Sequence, residues 1–495
     1  MRRELFTRYA IVPIIVLFAF IAELVFVLNS MTQIRPEELS ENVRNVYWFQ
    51  QGLVFSGINA HLGWYASLAL FYDVFGFSFE NGQFFRLVLH LLSLLCIVLL
   101  LRAYFTGHQW LIPLAAIALS PTLLYFNTLK NHYGVDLQYV PICLYLLHIV
   151  NFKNRLSALW VALLWALSMF AWLSYPTFIC FLPGLAILFY HQLRRHGLDA
   201  RRMLRFSSIA IAAFLAPLII LVAHVENKNL LVYDDITTGG LFRGAGSLDV
   251  RSRDVLSQRV WMTALGFTGG APSYYYEVNK ADFSDLSSLL AIALAAIAGF
   301  TYFDKRGSIL WIACALWTVI LVNLATIALL VDPAGLSSVR RATPTIFCLY
   351  AFYALACLRV FQVARTRSLN YVLVGAVLLL LPLHHISVFP VNLSHLKDPS
   401  GFRYAMWFGG AETPSLALSG YVDTIQKEDL RLEASWGNNR EFGTVFNWIY
   451  SSVSAACYWN RLDCHGMVAV DPAKNAVVPL TMENVNYVSK ENWSS

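Results

Sequence analysis

Apolar residues run along this chain in long unbroken stretches, rather than in the alternation of a half-buried strand or the one-sided stripe of a surface helix. The first covers residues 10–28. Further runs cover 84–101, 110–126, 135–150, 158–172, 178–190, 207–225, 286–303, 309–331, 343–361 and 371–389. Most approach the roughly 20 residues that a helix needs to cross a hydrocarbon core. Segment 62–77 is ambiguous: it is apolar and rich in aromatics, but it follows His61 and carries Asp73 and Gly76.

The polar positions between the runs decide that case. Lys and Arg near span ends are retained on the cytoplasmic side. Arg2, Arg3 and Arg8 therefore keep the N-terminal flank inside, and the first span reads as a retained signal anchor. The most basic loop, with Arg194, Arg195, Arg201, Arg202 and Arg205, belongs inside too. Starting outside after the first span, the chain reaches that loop in five crossings only if 62–77 is not one of them. The same choice puts Lys153–Arg155, Lys305–Arg306 and Arg365–Arg367 inside. Segment 62–77 is thus expected to lie at the outer surface as an amphipathic or re-entrant helix. The expected fold is an all-α polytopic membrane protein with about eleven transmembrane helices and amphipathic helices on its outer face.

Composition agrees. Of 495 residues 58% are hydrophobic and 13% charged, and the mean hydropathy is +0.56, outside the range of soluble domains. The net charge of +6 sits in short loops and sets topology, so it does not imply a nucleic-acid partner. Cys96, Cys143, Cys180, Cys314, Cys348 and Cys357 fall inside apolar runs, as small packing residues do. Cys457 and Cys464 stand in the polar tail, where an oxidising compartment would permit a disulfide.

This topology divides the chain into a transmembrane domain, 1–389, and a small extracytoplasmic C-terminal domain, 390–495. The transmembrane domain carries a first outer loop, 29–83, and a second long, glycine-punctuated outer loop, 226–285. The first outer loop opens with Arg35-Pro36-Glu37-Glu38-Leu39-Ser40-Glu41, whose carboxylates at i, i+1 and i+4 share part of a helical face near the bilayer surface. Reduced solvation there tunes a proton acceptor. The plainer reading is a solvated helix start, with Pro36 early and acids in the first turn.

Basic residues on the outer side run against the topological bias. Arg340 and Arg341 abut a span entrance from outside, where a pair can clamp a phosphate or simply reach lipid headgroups. Lys130 and His132, beside Tyr133 and Asp136, form a second outer cluster, and Asp136 alternatively caps the helix it begins. Arg243, Arg251 and Arg253 in the long loop are weaker candidates. The aromatics Trp48, Trp64, Tyr65, Tyr72 and Tyr274–Tyr276 fit an interfacial belt. His384-His385 has no acidic or cysteine set beside it in sequence, and so no metal-site signature.

Several of these elements occur in a familiar order. Pro36-Glu37-Glu38-Leu39 and Val46-Tyr47-Trp48-Phe49-Gln50-Gln51-Gly52 resemble the Pro-Asp-Glu segment and following helix of GT-C-type glycosyltransferases. That family includes the protein O-mannosyltransferases and aminoarabinose transferases. His61-Leu62-Gly63-Trp64-Tyr65 stands where the family often has His-Pro-Pro-Leu-Tyr. Phe75-Gly76-Phe77-Ser78 with Arg86-Leu87, and Leu119-Ser120-Pro121 through Tyr125-Phe126 to Asp136, follow its next segments. The resemblance covers about the first 190 residues, with Glu37 in place of the leading Asp and both prolines after His61 absent.

The resemblance implies a GT-C-like fold and transfer of a monosaccharide, with inversion, from a polyprenyl-phosphate-linked sugar to a lipid, glycan or protein acceptor. It implies Glu37 as general base, with Glu38 orienting the acceptor or a divalent cation; relatives differ in needing such a cation. Glu41, His61, Arg86, Lys130, His132, Tyr133, Asp136, Arg340 and Arg341 are the expected substrate-binding residues, the basic ones serving the phosphate. The expected setting is a bacterial cytoplasmic membrane with the site on the periplasmic face, the endoplasmic reticulum being the eukaryotic alternative. Rival readings are an O-antigen-type polymerase or ligase, leaning on the long-loop arginines, and a transporter of lipid-linked sugars. Nucleotide-binding Gly-rich motifs and His-Glu-x-x-His are absent from the sequence.

Overall fold

The computed structural model describes residues 21, 33–34, 42, 45–52, 61–77, 79–120, 123, 135–151, 156–226, 286–303, 307–330, 342–366, 375, 377–387, 406–407, 468–471 and 476–479. The first predicted span, the long outer loop and Cys457 and Cys464 lie outside them.

The apolar runs become helices. α1 (Asn45–Gln50) and α2 (Leu62–Phe75) precede α3 (Phe79–Tyr104) and α4 (Leu111–Ala118). A 3-10 turn at Val135–Gln138 leads into α5 (Tyr139–Asn151), followed by α6 (Ala158–Ser174). A second 3-10 segment, Pro176–Phe181, leads into α7 (Leu182–Arg195), then α8 (Ala200–His224). α9 (Leu286–Phe303), α10 (Ser308–Leu330), α11 (Thr343–Thr366) and α12 (Val377–Ser387) complete the bundle. Among the described residues five helices are long and apolar enough to cross a membrane, and α5, α6 and α12 are shorter apolar helices. The chain is a multi-pass membrane protein.

Exposed apolar side chains cover the outside of the bundle. On α8 only Ala210 is buried, while Ile211, Ile219 and Ile220 are exposed, as lipid-facing residues are. Inside, small residues let backbones approach. A Cβ at Gly184 of α7 would stand 2.9 Å from the Ala315 carbonyl oxygen of α10, so the contact requires glycine. Aromatic rings fill the α6–α8 seam, with Trp165 edge-on to Phe214 at 5.8 Å. Five of the six described cysteines are buried packing residues, Cys314 being half-buried.

Two predicted elements differ in detail. The run 110–126 is helical from Leu111 to Ala118 and breaks at Leu119-Ser120, because Pro121 disfavours helical backbone at the residue before it. The Ser120 hydroxyl then accepts from Leu123 N–H at 3.4 Å. α2, at 14 residues or about 21 Å, is too short to span. It buries Leu62, Trp64, Tyr65, Leu68 and Tyr72, and exposes Leu70, Val74 and Phe75.

Among the described residues four short strands accompany the helices. β1 (Gln33–Ile34) pairs antiparallel with β2 (Met406–Trp407), Gln33 opposite Trp407. β3 (Val468–Asp471) and β4 (Ala476–Pro479) form an antiparallel pair in the tail. Among the described residues an apolar cavity lies among α3, α4, α5, α10 and α11, with Leu316, Phe347 and Ala354 in its wall.

Candidate functional site

α2 is pinned at its start. His61 sits at the N-cap, 4% exposed, with its ring stacked on Tyr175 (6.3 Å between centroids, 17°) and edge-on to Tyr65. Two residues on, Gly63 lies against α6: a Cβ there would meet the Phe170 carbonyl oxygen at 2.7 Å and Ser174 Oγ at 2.6 Å. The Trp64 indole N–H donates to Asn42 Oδ1 at 3.0 Å, and Asn45 Nδ2 donates to the Tyr65 hydroxyl at 3.0 Å. A buried indole N–H left unpaired would cost about 1–3 kcal/mol, so this bond fixes Asn42 to α2. Trp64, Tyr65 and Tyr72 are therefore core residues, which corrects their assignment to an interfacial belt. Their burial comes from the packing of α2 between α3 and α6.

α3 contributes two polar side chains from its first half. Arg86 is 2% exposed, a rare position for a guanidinium within an apolar helix. His90, one turn further on, is also buried, and its Nδ1 stands 3.2 Å from Asp136 Oδ1. Asp136 sits inside the 3-10 turn that opens α5, so its carboxylate meets an imidazole from another helix. Sequence reasoning missed His90. The available signal was its i+4 relation to Arg86 within an apolar run.

The turn at Asp136 is held from two further sides. Thr177 donates to Gln138 Oε1 at 2.9 Å. Tyr139 stacks on Phe347 of α11 (4.6 Å, 8°). Thr345 donates to Asn323 Oδ1 of α10 at 2.7 Å. His61, Arg86 and Asp136 thus fall on one end of the bundle, His61 against Tyr175 and Asp136 against His90.

Glu37, Glu38, Glu41, Lys130, His132, Tyr133, Arg340 and Arg341 lie outside the described residues, as do Arg243, Arg251 and Arg253. Their described neighbours in the chain belong to this end. Glu41 precedes Asn42, bonded to Trp64; Tyr133 comes two residues before Val135; Arg341 comes two residues before Thr343. Ile34, two residues before Pro36, is in β1, which pairs with the tail. Among the described residues no group of three or more His, Cys, Asp or Glu side chains could hold a metal. His385 is buried, with Nδ1 3.0 Å from the Ala116 carbonyl oxygen.

No family model matches the chain, and no curated protein does. Solved structures do. ArnT from Cupriavidus metallidurans, bound to undecaprenyl phosphate, superposes with a TM-score of 0.52 at 11% identity, over 94% of this chain and 87% of ArnT. The archaeal oligosaccharyltransferase AglB from Archaeoglobus fulgidus, in complex with an inhibitory peptide and a dolichol-phosphate, gives 0.46 at 13% identity, over 87% of this chain and 59% of AglB. The likeness to ArnT, an aminoarabinose transferase, extends over nearly the whole chain, well past the first 190 residues that carry the sequence resemblance. This chain has the fold of ArnT, which is itself a polytopic GT-C glycosyltransferase.

Proposed function

We propose that the chain is a membrane glycosyltransferase that moves a monosaccharide from a polyprenyl-phosphate-linked sugar to an acceptor hydroxyl, with inversion. The observation that carries this reading is the convergence, at one end of a GT-C-like bundle, of buried Arg86, His61 and the His90–Asp136 pair. Buried polar groups of this kind are expensive inside a membrane bundle and mark substrate sites there.

The chemistry follows from the residues. The acceptor oxygen attacks the anomeric carbon as the bond to the phosphate oxygen breaks, and the lipid phosphate leaves with the electron pair. The acceptor proton passes to a carboxylate, for which Glu37 is the candidate, with Glu38 orienting the acceptor. Carboxylates are hard oxygen donors, so the same pair also suits a divalent cation. Arg86, His61, Lys130, Arg340 and Arg341 are the cationic or polar partners for the departing phosphate. Glu41, His132, Tyr133 and Asp136 complete the acceptor side. The apolar cavity beside Phe347 suits part of a lipid's hydrocarbon chain. A bacterial cytoplasmic membrane, with this end of the bundle facing the periplasm, agrees with the charge bias of the loops.

The test is mass spectrometry of glycans, glycolipids and glycoproteins from a deletion strain of the host, complemented by the native chain or by Glu37→Gln at matched abundance. One sugar missing from one acceptor in the Glu37→Gln strain supports the reading and names both substrates. Equal restoration by both forms removes Glu37 as base. Loss confined to Arg243, Arg251 or Arg253 variants favours a polymerase or ligase.

A further inference from the structure

We propose that the outward face of α8 binds an anionic phospholipid, with Arg201 and Arg205 on its phosphate and the acyl chains along the apolar column beyond them. The inference does not depend on the transfer reaction. α8 packs on α6 through one side: Ala210 is buried there, and Phe214 meets Trp165 and Trp172 at 5.8 Å each. At about 100° per residue, Arg201, Arg205, Ser208, Ala212, Leu215 and Ile219 fall on the opposite side, within about 40° of one line. All six are exposed, Leu215 and Ile219 by 41% and 64%. The Ser208 hydroxyl donates to the Leu204 carbonyl oxygen at 3.0 Å, so it does not interrupt the column with an unsatisfied polar group. Arg205 to Leu215 is a rise of about 15 Å, the depth of one leaflet's hydrocarbon.

The charges on this face have no counterpart in the chain. α8 contains no Asp or Glu, and Asp199 before it is used as the N-cap, accepting from Arg202 N–H at 2.7 Å. Among the described residues no hydrogen bond or ion pair engages the guanidinium of Arg201 or Arg205. A cation in the first turn opposes the helix dipole, so helix stability does not explain Arg201. Orienting the chain needs only charge at this end, which Arg102, Arg194 and Arg365 also supply. It does not need two arginines one turn apart, in register over an apolar column. A phospholipid uses all of these features: paired guanidinium groups for the phosphate, no competing carboxylate, and apolar surface at acyl depth. A second copy of this chain would share its orientation in the membrane and bring the same cations against one another.

The test is native mass spectrometry of the purified full chain, exchanged into detergent holding equal amounts of phosphatidylglycerol and phosphatidylcholine. The native chain is expected to retain the anionic lipid in preference to the zwitterionic one. Each arginine near an anionic headgroup contributes about fivefold, so Arg201→Gln combined with Arg205→Gln should lower that preference by about tenfold or more. Arg102→Gln combined with Arg365→Gln removes the same charge from the same end and should leave the preference within about twofold of native. Inorganic phosphate should not displace the lipid. Equal losses in the two double variants reduce the effect to net charge and overturn the proposal, as does equal retention of both lipids by the native chain. Displacement by inorganic phosphate overturns the lipid as occupant in favour of a soluble anion. Dimers that phosphatidylglycerol does not separate, and that Arg201→Gln with Arg205→Gln strengthens, overturn it in favour of a second copy.

Discussion

The two ends of the helix bundle use polar residues in opposite ways. At the end where α2, α5 and α11 begin, His61, Arg86, His90, Asp136, Gln138, Thr177 and Thr343 are buried; His61 meets aromatic rings, His90 meets Asp136 and Thr177 meets Gln138. At the other end Arg102, Arg194, Arg195, Arg201, Arg202, Arg205 and Arg365 are exposed. Their partners are few and superficial: Arg195 donates to the Ile149 carbonyl oxygen at 2.9 Å, and Asp199 caps α8 through Arg202 N–H. Solvated cations keep their hydration and act by biasing insertion. Buried ones lose it, and such positions persist where a ligand or partner compensates. The contrast separates topology from chemistry in residues of the same type.

The sharpest way to break this comparison is to neutralise one carboxylate, either Asp136 of the first end or Glu37 of the acidic segment. Asp136→Asn or Glu37→Gln should lower transfer by about 10²–10⁴-fold, with protein abundance held near native, measured as product glycan by mass spectrometry. Native-level transfer by both variants would make the buried cluster structural only.

Next in size is a matched pair of arginines on one helix. Arg86→Met at the buried position should abolish or strongly reduce transfer. It should also shift thermal stability in detergent by several times more than Arg102→Gln, for which a change within about 0.5 kcal/mol is expected. Equal effects would erase the difference between the ends.

A third test concerns the anchor of the acidic segment. Trp64→Phe keeps the ring but removes the bond to Asn42, which should cost about 1–3 kcal/mol. It should also reduce transfer, because Asn42 directly follows Glu41. A stability loss with unchanged transfer would uncouple α2 from the acids.

The smallest effect is expected from the packing of the bundle. Gly63→Ala forces a Cβ into the α6 backbone, with an overpacking cost of about 1–3 kcal/mol, read from thermal denaturation. Transfer should fall only as far as folded protein does.

The apolar runs made most helices legible, since a span needs only length and hydrophobicity. Segment 62–77 was resolved by the parity of basic loops, and α2 is indeed too short to cross. The break at Ser120 was visible in Leu119-Ser120-Pro121, yet the run around it reads as one continuous span. Trp64, Tyr65 and Tyr72 were misread because an aromatic near a span end looks the same whether it faces lipid headgroups or a neighbouring helix. His90 was missed because its i+4 relation to Arg86 is a weak local signal, and its meaning lies in Asp136, 46 residues away.

Sequence by itself determined that this chain lives in a membrane, which loops bias its orientation, and where its acids and outer arginines stand along the chain. These are properties of length, hydropathy and local charge, which act through the solvent and the bilayer. Only the tertiary structure decided which polar residues are buried, that His61, Arg86, His90 and Asp136 belong to one end, and that His90 pairs with Asp136. Burial and pairing depend on close contacts between helices distant in sequence, which no periodicity along the chain encodes.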